Sequence, residues 1–549
     1  MKNIFSVLVF LLALKSFHAE AVSITVPPHA ISIASSSITI EWQTDVSSTG
    51  YIIYGRTTSL ELGAISSAGA GTSHSVSITG ANPAEVFYAR AYAVSGVDTN
   101  YSAVITFITA SLSSGEIICY FNQPVETTAA SSPANYATQL QNLFDDTLAA
   151  YIDRAQSTLD IAIYNFGNVN TAPVINAINN AYSRGVKVRI ISEGGNSNTA
   201  LPLINAAIPK LSSPTSGSYG YMHNKFMIID LFTSNPDDAV LWTGSANWTD
   251  DQLNTDPNNI IIFRDQSIAR AYRLEFNEMW GDTGMTYNLT NSRFGQFKTD
   301  NTPHQFVIGG NNVECYFSPS DGVTSKIANE INNANNLLCF SVMAFTRTDL
   351  ASAVAARASS GVNTYGMVED TGSGGGNAFL IMQAAMNNDL REDNHSYILH
   401  HKYMIADQGD SAADPLVLTG SHNWSTSAET RNDENTVIVH DRQIANQYFQ
   451  EFVKRFSENG GVIGVDENEK DDFSFSIYPN PASTQLIIDN GQLKIKSVDI
   501  FDVLGHKILQ AHISYLISYI SIDISSLSPG IYFLQANAGR RVTVKLIVQ

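Results

Sequence analysis

The chain of 549 residues is too long for one ordinary hydrophobic core, so we expect several domains. Its composition, 44% hydrophobic and 15% charged, fits folded domains and excludes a mainly disordered chain. The net charge of −20 disfavours a protein that coats nucleic acid or another polyanion, although a local basic pocket is compatible with it.

The N-terminus has the pattern of a secretory signal peptide, which we assign to residues 1–21. A positive charge at Lys2 precedes an apolar run, Ile4–Leu14, that is too short to span a bilayer. The small residues Ala19 and Ala21 fit a cleavage site. An uncleaved anchor or a buried first strand is the alternative. We therefore expect a secreted or cell-surface protein without a transmembrane anchor in its mature chain.

Residues 22–112 are predicted to form a small β-sandwich. Apolar and polar residues alternate in Ser37–Trp42, as they do in a half-buried strand, and turn residues separate several such runs. We expect an aromatic core from Trp42, Tyr54, Tyr88 and Tyr92. The segment resembles a fibronectin type III domain, which implies either attachment to a substrate or surface, or a spacer.

Residues 113–457 have the alternating strands and helices of an α/β domain, and the region is internally duplicated. Matching residues recur 176 positions apart, as from Gly244 to Gly420. The duplication predicts two similar lobes, about 113–300 and 301–457, related by a pseudo-twofold axis.

Each lobe carries a His-x-Lys-x4-Asp motif, followed about twenty residues later by Gly-Ser-x-Asn. These motifs select His223, Lys225, Asp230, Ser245 and Asn247 in the first lobe and His400, Lys402, Asp407, Ser421 and Asn423 in the second. A single His-x-Lys is expected by chance in a chain of this length. Two complete sets inside a duplicated unit instead predict one active site made of two half-sites.

The spacing of the motif predicts which side chains share a face. A histidine and a lysine two residues apart on a strand project from the same side, so His401 points away from the face that carries His400 and Lys402. Two imidazoles, two ammonium groups and two amides that converge on one point suit a phosphodiester.

A neutral histidine can attack phosphorus and form a covalent intermediate, while a second, protonated histidine donates its proton to the leaving alkoxide. The lysines and Asn247 and Asn423 would hold the non-bridging oxygens and stabilise the transition state. With two fixed cations, such a site requires no metal ion and no other cofactor.

On these motifs, residues 113–457 resemble the phospholipase D superfamily. The resemblance implies two facing α/β lobes with the site in the cleft between them, and metal-independent phosphodiester hydrolysis or transfer through phosphohistidine. By analogy His223 is the nucleophile and His400 the acid. Asp230 and Asp407 are expected to support the lobes, and the motif serines to shape the pocket.

The resemblance also implies an acidic residue downstream that orients a histidine. Glu434 fits this role for the second lobe, and the matching position in the first lobe is Asn258. We therefore expect the first-lobe histidine to have the weaker orienting partner.

Residues 458–473 form a predicted exposed linker, rich first in glycine and then in acidic residues. Residues 474–549 are predicted to be all-β. The order of Ser476–Ala482, Val498–Gly505 and Ile522–Phe533 closely resembles the C-terminal sorting domain of type IX secretion cargo. This resemblance implies export across a Gram-negative outer membrane, with the type IX secretion machinery as a partner.

The predicted architecture is multidomain, with a duplicated two-lobe α/β domain between an N-terminal β-sandwich and a C-terminal all-β domain. The main hypothesis is a secreted, metal-independent phosphodiesterase of phospholipase D type that acts on phospholipid headgroups. An extracellular nuclease that cleaves nucleic acid with the same site is the first alternative. A surface binding protein with vestigial lobes is the second, and the complete motifs in both lobes argue against it.

Overall fold

The computed structural model describes residues 21–369, 376–410, 413–463, 476–489, 497–502, 507–512, 519–537 and 541–549. The chain divides into two compact units, Met1–Ile463 and Gly464–Gln549. The predicted signal peptide, apart from its last residue, and residues 464–473 of the predicted linker lie outside the described residues.

The N-terminal domain is all-β. Its six strands are β1 Ile24–Ala34, β2 Ser37–Gly55, β3 Gly63–Thr79, β4 Val86–Ser95, β5 Asp98–Tyr101 and β6 Ile105–Ile108. Of the four predicted core aromatics, Trp42 is fully buried, whereas Tyr54, Tyr88 and Tyr92 are only partly buried. Phe87 enters the core instead, because it alternates with Tyr88 along β4 and therefore lies on the inner face.

The first lobe contains one mixed sheet in the order β11-β10-β9-β12-β13-β14-β7-β8. Its strands are β7 Glu116–Phe121, β8 Thr138–Gln139, β9 Thr158–Ile163, β10 Lys187–Ser192, β11 Lys210–Ser212, β12 Lys225–Ile229, β13 Val240–Gly244 and β14 Asn259–Arg264. Its helices are α1 Phe144–Asp153, α2 Ala172–Ser183 and α3 Gln266–Trp280.

The second lobe contains a sheet in the order β15-β16-β22-β21-β20-β17-β18-β19. Its strands are β15 Gln305–Ile308, β16 Asn311–Ser318, β17 Leu337–Val342, β18 Asn363–Val368, β19 Leu390–Glu392, β20 Lys402–Ala406, β21 Leu416–Gly420 and β22 Glu434–Val439. Its helices are α4 Val323–Asn333, α5 Thr348–Ser359, α6 Gly376–Met386, α7 Thr426–Thr430 and α8 Arg442–Glu458.

Seven strands of each lobe follow one another in the same spatial order, which confirms the predicted duplicated α/β architecture. The run β11-β10-β9-β12-β13-β14-β7 corresponds to β19-β18-β17-β20-β21-β22-β16. The motif strands β12 and β20 lie in the middle of their sheets and every residue in them is buried. Their N-terminal ends are therefore rigid supports for the side chains that precede them.

The two lobes share one continuous hydrophobic core. Tyr272 of α3 packs edge-on against Phe226 of β12 in its own lobe and against Phe317 of β16 in the other, with ring centroids 5.0 and 4.9 Å apart. Tyr448 of α8 packs in the same way against Tyr403 of β20 in its own lobe and against Phe121 of β7 in the first lobe. Each helix thus joins a strand of its own lobe to a strand of the facing lobe, which fixes the half-sites relative to each other.

The N-terminal domain contacts both lobes. The Ala30 N–H donates to Oε1 of Gln305 at 2.9 Å, beside β15, and Arg270 of α3 donates to the Ala84 carbonyl oxygen at 2.6 Å. They involve β15 and α3, neither of which carries a motif residue.

The C-terminal unit is all-β, as predicted. Its described strands are β23 Ser476–Tyr478, β24 Gln485–Asp489, β25 Ser497–Phe501, β26 Lys507–His512, β27 Tyr519–Asp523, β28 Gly530–Asn537 and β29 Arg541–Val548. They form a three-stranded sheet, β23-β24-β27, and a four-stranded sheet, β26-β25-β28-β29. Leu486, Ile500 and Leu534 are among the side chains of its core.

Cys119, Cys315 and Cys339 are free and buried, and burial raises the pKa of all three thiols. In the part of the chain that the structure describes, no helix combines the length and apolarity needed to cross a bilayer.

Candidate active site

The histidine and lysine of each motif lie at the N-terminal end of a central strand. Lys225 begins β12 and Lys402 begins β20, with His223 and His400 two residues before them. Each lysine Nζ donates to the carbonyl oxygen of its own histidine, at 2.7 Å in the first lobe and 2.6 Å in the second. All four residues are buried, and His223 is the most accessible at 8%.

The backbone of each lobe holds the histidine of the other lobe. The N–H of His223 donates to the carbonyl oxygen of Asp433 at 2.9 Å, and the N–H of His400 donates to that of Pro257 at 3.0 Å. Because residues 257 and 433 are equivalent in the repeat, the two half-sites meet in the same way on both sides of the groove.

The side chains that orient the imidazoles also come from the opposite lobe. Nδ1 of His223 lies 2.7 Å from Oε2 of Glu434, and Nδ1 of His400 lies 3.0 Å from Oδ1 of Asn258. The prediction that Glu434 orients the histidine of its own lobe is therefore wrong. The chain just before β22 pairs with the facing lobe, so the carboxylate reaches His223 and the weaker amide partner serves His400.

Ser245 and Ser421 support these two orienting side chains. Oγ of Ser421 donates to Oε2 of Glu434, and Oγ of Ser245 donates to Oδ1 of Asn258, each at 2.8 Å. Each hydroxyl also accepts the backbone N–H of the residue that follows the orienting side chain, at 3.0 Å. The serines thus fix the direction in which the carboxylate and the amide point.

Gly244 and Gly420 make the turns before these serines possible. Their φ angles are +152° and +149°, and an added Cβ would lie only 2.3 Å and 2.2 Å from the carbonyl oxygens of Asn259 and Asn435. Only glycine tolerates both the backbone conformation and the close approach.

Asn247 and Asn423 retain free hydrogen-bonding capacity. The side-chain Oδ1 of each has no hydrogen-bond partner among the described residues. Nδ2 of Asn247 lies 3.3 Å from Oε1 of Gln252. A half-turn of either amide exchanges its oxygen and nitrogen, so both residues can present a donor to a bound anion.

Asp230 and Asp407 lie at the far ends of the motif strands, about 17 Å along the strand from Lys225 and Lys402. The Asp230 carboxylate accepts three backbone N–H groups at the start of β9, at 2.7–3.0 Å. Asp407 accepts three at the start of β17, at 2.7–2.9 Å. These contacts agree with the expected supporting role of the two aspartates. Asp230 and Asp407 lie apart from the set around the histidines, so they do not belong with the catalytic candidates that the motif selected.

Burial lowers the pKa of both histidines. The pKa of His223 falls to about 4, because Glu434 only partly offsets burial and Lys225 adds to it. The pKa of His400 is held well below its usual range by burial, then by Lys402, Lys225 and His223 itself. Groups of the opposite lobe contribute to the pKa of each histidine, and the lowered pKa favours the neutral imidazole in both at pH 7.

Burial also lowers the pKa of the two motif lysines. Burial lowers the pKa of Lys225 to about 7, against the attraction of Glu434. Burial and the charge of Lys225 lower the pKa of Lys402 well below its usual range. A bound anion between these groups would reverse the local charge balance and restore their protons.

Glu193 and Glu369 occupy equivalent positions in the repeat, 176 residues apart, and sequence reasoning gave them no role. Their carboxylates accept the backbone N–H of the residue before each catalytic-motif histidine, Met222 and Leu399, at 2.7 Å in both lobes. They fix the segment from which the histidine projects. Their equivalent positions in the repeat were the signal that could have revealed this role.

Tyr164 and Met343 were also missed. The Tyr164 ring lies edge-on to His223, with centroids 4.5 Å apart, and 5.1 Å from Nζ of Lys225. At the equivalent place in the second lobe, Sδ of Met343 lies 3.5 Å from Nζ of Lys402. Both residues directly follow the strands β9 and β17, so the duplicated strand pattern was again the available signal.

Two further histidines have different surroundings. His401 lies on the opposite side of β20, as predicted, where it contacts Glu451 at 3.0 Å and Asn259 at 2.9 Å. His422 is 3% exposed, and neither ring nitrogen has a hydrogen-bond partner among the described residues. Its Nε2 lies 3.7 Å from the carboxylate of Glu429.

Two parts of the chain match known families. Residues 148–280 and 327–456 match the family described as "Cardiolipin synthase, PLD-like domain", one stretch in each lobe. Residues 476–549 match the family described as "Secretion system C-terminal sorting domain".

Curated relatives share part of their length with this chain. A mitochondrial cardiolipin hydrolase of Xenopus tropicalis is 33% identical over 131 residues, which are 23% of this chain and 56% of the relative. A mitochondrial cardiolipin hydrolase of Drosophila melanogaster is 32% identical over 146 residues, 24% of this chain and 55% of the relative. The chain thus spans little more than half of these relatives. A phospholipase D of Rickettsia bellii is 24% identical over 172 residues, 30% of this chain and 83% of the relative.

Solved structures give partial matches. Nuc from Salmonella typhimurium, a phospholipase D family member, covers 27% of this chain and 95% of its own, with a TM-score of 0.24 and 25% identity. A phosphatidylserine synthase of Haemophilus influenzae covers 63% of this chain and 89% of its own, with a TM-score of 0.43 and 13% identity.

Proposed function

Because this chain contains a phospholipase D-like domain in two halves and a secretion-system C-terminal sorting domain, we propose that it is an exported phosphodiesterase acting on phospholipid headgroups. The reaction proceeds through a covalent phosphohistidine and draws its positive charge from Lys225 and Lys402. The proposal includes the domain division given above, with a signal peptide over 1–21 and a sorting domain over 474–549.

The unequal partners of the two histidines carry the assignment of roles. A carboxylate can only accept a hydrogen bond, so Glu434 requires a proton on Nδ1 of His223 and leaves the lone pair of Nε2 free. Attack by Nε2 on phosphorus makes the ring cationic, and Glu434 stabilises that charge. His223 is therefore the nucleophile.

His400 has the complementary properties of an acid. Its partner Asn258 carries no charge, so an imidazolium at this position is less stabilised and gives up its proton more readily. The bound diester adds negative charge to the groove and raises the pKa of His400, which gains a proton on Nε2. As the bond from phosphorus to the headgroup oxygen breaks, that proton passes to the leaving alkoxide.

The second half of the reaction reverses these transfers. Water enters, His400 removes its proton, and the hydroxide attacks phosphorus as the bond between phosphorus and Nε2 of His223 breaks. The phosphatidate leaves and His223 is neutral again. The two lysines and the amides of Asn247 and Asn423 hold the non-bridging oxygens in both steps.

Phospholipid is the substrate that the charge and the export signal favour. A net charge of −20 repels a long polyanion, whereas a headgroup diester brings only a few charges into the groove. The sorting domain directs the protein to an envelope surface or beyond, where lipid is present. The relatives named as cardiolipin hydrolases agree with this choice.

The test is an assay of the purified protein in EDTA on phosphatidylcholine vesicles, single-stranded DNA and duplex DNA. We expect headgroup release from vesicles and none after His223→Asn. Degradation of DNA without headgroup release would replace the lipid assignment with the nuclease. Activity on neither substrate would favour a binding protein with inactive lobes.

A further inference from the structure

A cavity of about 350 Å³ lies between the two lobes, next to the segment that leads to His223. One wall is the segment that leads to His223, from Thr215 to Tyr221, with Glu193 and Gly195 behind it. The other wall comes from the second lobe and consists of Ser427, Arg431 and Asn432. The mechanism described above does not use these side chains.

The two walls are joined firmly. Gly220 approaches the backbone of Arg431 so closely that an added Cβ would lie 2.3 Å from its carbonyl oxygen. The Tyr221 N–H donates to Oδ1 of Asn432 at 3.1 Å, and the Tyr221 carbonyl oxygen accepts the Asp433 N–H at 2.9 Å. The cavity is therefore a preformed feature of the cross-lobe contact.

The cavity is adjacent to the reaction centre. Tyr221 lies two residues before His223, and Arg431 lies three residues before Glu434, the partner of His223. At about 3.5 Å per residue, both lie within about 11 Å of those groups along the chain. The ring of Tyr221 also contacts that of Tyr164, which contacts His223, with centroids 5.7 and 4.5 Å apart. A substituent of a substrate held on His223 would therefore need only a few bonds to reach the cavity.

Arg431 gives the cavity its charge. It is the one cationic residue among those that line the cavity in the described part of the chain. Nη2 of its guanidinium donates to the carbonyl oxygens of Gly217 and Tyr219, at 3.0 and 3.1 Å. The other nitrogens of the group remain able to donate, and a guanidinium fork matches a phosphate.

The acidic residue in the lining, Glu193, hydrogen-bonds to groups other than Arg431. The Glu193 carboxylate is occupied by the N–H groups of Gly195 and Met222 and by the hydroxyl of Ser213. In the repeat, the position of Arg431 corresponds to Thr255, so the feature belongs to the His223 side of the groove alone.

We propose that this cavity binds a second phosphate group, carried by the substrate near the diester that is cleaved. The inference rests on the proposed function and narrows it to phosphodiesters with a neighbouring phosphate. The same chemistry is found in lipids with a phosphorylated headgroup and in nucleotides. Arg431 binds the second phosphate, and neighbouring hydroxyl and N–H groups of the lining donate further hydrogen bonds to the phosphate oxygens.

The test compares substrate pairs that differ by one phosphate. The lipid pair is phosphatidylglycerol and phosphatidylglycerol phosphate in vesicles. The soluble pair is thymidine 5′-(p-nitrophenyl phosphate) with and without a 3′-phosphate. For the wild-type protein, kcat/KM should be higher for the member with two phosphates. The measured quantity is the ratio of kcat/KM for the substrate with two phosphates to kcat/KM for the substrate with one. Arg431→Gln should lower this ratio about tenfold by raising KM for the substrate with two phosphates, and Arg431→Lys should recover part of the ratio.

Two further variants separate binding from loss of structure. Ser427→Asp adds a carboxylate to the cavity while the contacts of Arg431 remain, and it should lower the ratio in the same direction. Arg184→Gln, which removes an exposed arginine paired with Asp153 far from the groove, should leave the ratio unchanged. A ratio that is near one in the wild type, or that Arg431→Gln leaves unchanged, would overturn the proposal.

Titration of the full-length His223→Asn protein with inorganic phosphate measures phosphate binding to the cavity in the absence of catalysis. We expect two bound phosphates, and one after the additional Arg431→Gln change. A single phosphate in both proteins would contradict the inference. If the wild-type protein cleaves no member of either pair, the proposed function fails, while this titration still decides whether the cavity binds phosphate.

Discussion

At the scale of single residues, the difference between Glu434 and Asn258 gives the two motif histidines different hydrogen-bonding partners. Both side chains are buried, both accept a hydrogen bond from a motif serine, and both contact Nδ1 of the histidine of the facing lobe. One is a carboxylate and the other an amide. In the proposed mechanism, this difference distinguishes the nucleophile from the acid.

Glu434→Gln should therefore slow catalysis while the fold remains. Glutamine keeps the shape but cannot stabilise the cationic phosphohistidine, so we expect kcat to fall about 100-fold with a smaller change in KM. Steady-state kinetics with a p-nitrophenyl diester measures both constants. Glu429→Gln, in the same lobe, is the matched control and should change kcat less than about twofold. An equal loss in the two variants would contradict the role of Glu434.

The pH dependence of kcat/KM should report the deprotonation of Lys225. Burial lowers the pKa of Lys225 to about 7, so Lys225 carries its charge below pH 7 and loses it as the pH rises through that value. We expect kcat/KM to fall on the alkaline side near pH 7. Lys225→Arg should move this limb to higher pH, because guanidinium keeps its proton. If the alkaline decrease in kcat/KM stays at the same pH in Lys225→Arg, a group other than Lys225 causes it.

The sequence predicted which side chains the structure brings together better than it predicted their partners. The duplicated motif selected the histidines, lysines, serines and asparagines, because identical spacing in two copies indicates shared chemistry. The motif could not reveal that Glu434 contacts the histidine of the facing lobe. Equivalent positions in a repeat do not show which strand ends of the two lobes lie next to each other.

At the scale of elements, the turn between β21 and Ser421 shows how backbone constraints position the site. Gly420 adopts φ +149° and passes against the carbonyl oxygen of Asn435. The same arrangement recurs at Gly244. The serine and asparagine that follow each glycine take their positions from this close approach.

Gly420→Ala should destabilise the second lobe by about 2–3 kcal/mol, from backbone strain together with the steric clash. Denaturant unfolding followed by tryptophan fluorescence measures the change. Gly361→Ala is the control, because its φ is also positive, at +94°, but its Cβ would meet nothing within 4 Å. We expect about 1 kcal/mol for the control. Equal losses would show that the close approach contributes nothing.

The alternation of strands and helices was readable from hydrophobic periodicity, and the all-β segments from their short alternating runs. The order of strands in the sheets was not, because pairing depends on long-range contacts that a linear pattern does not contain. The same limit applied to the aromatic core of the N-terminal domain. A one-residue shift decides whether Phe87 or Tyr88 faces inward, and both are apolar enough for either position.

At the scale of the whole molecule, the lobes depend on each other. Their core is continuous, and Tyr272 and Tyr448 each pack on both lobes. The C-terminal unit, in contrast, has its own core. The sequence suggested two lobes and a separate terminal domain, but it could not show that the lobes share their interior.

This organisation predicts the result of truncation. A chain of residues 22–463 should fold and keep the kcat of the longer protein, because the catalytic unit ends at Ile463. A chain of residues 22–300 should not form a stable fold, because it exposes the half of the core that α8 and β16 cover. Soluble yield, thermal unfolding and kcat measure both outcomes. A stable, active first lobe would contradict the dependence described here.

The most direct test of the central claim is to trap the covalent intermediate. The wild-type protein is mixed with bis(p-nitrophenyl) phosphate in EDTA, quenched at alkaline pH and analysed by peptide mass spectrometry. We predict a p-nitrophenylphosphoryl adduct on His223, its absence in His223→Asn, and its accumulation in His400→Asn, where water is no longer activated. An adduct on His400, or turnover without any adduct on histidine, would contradict the account.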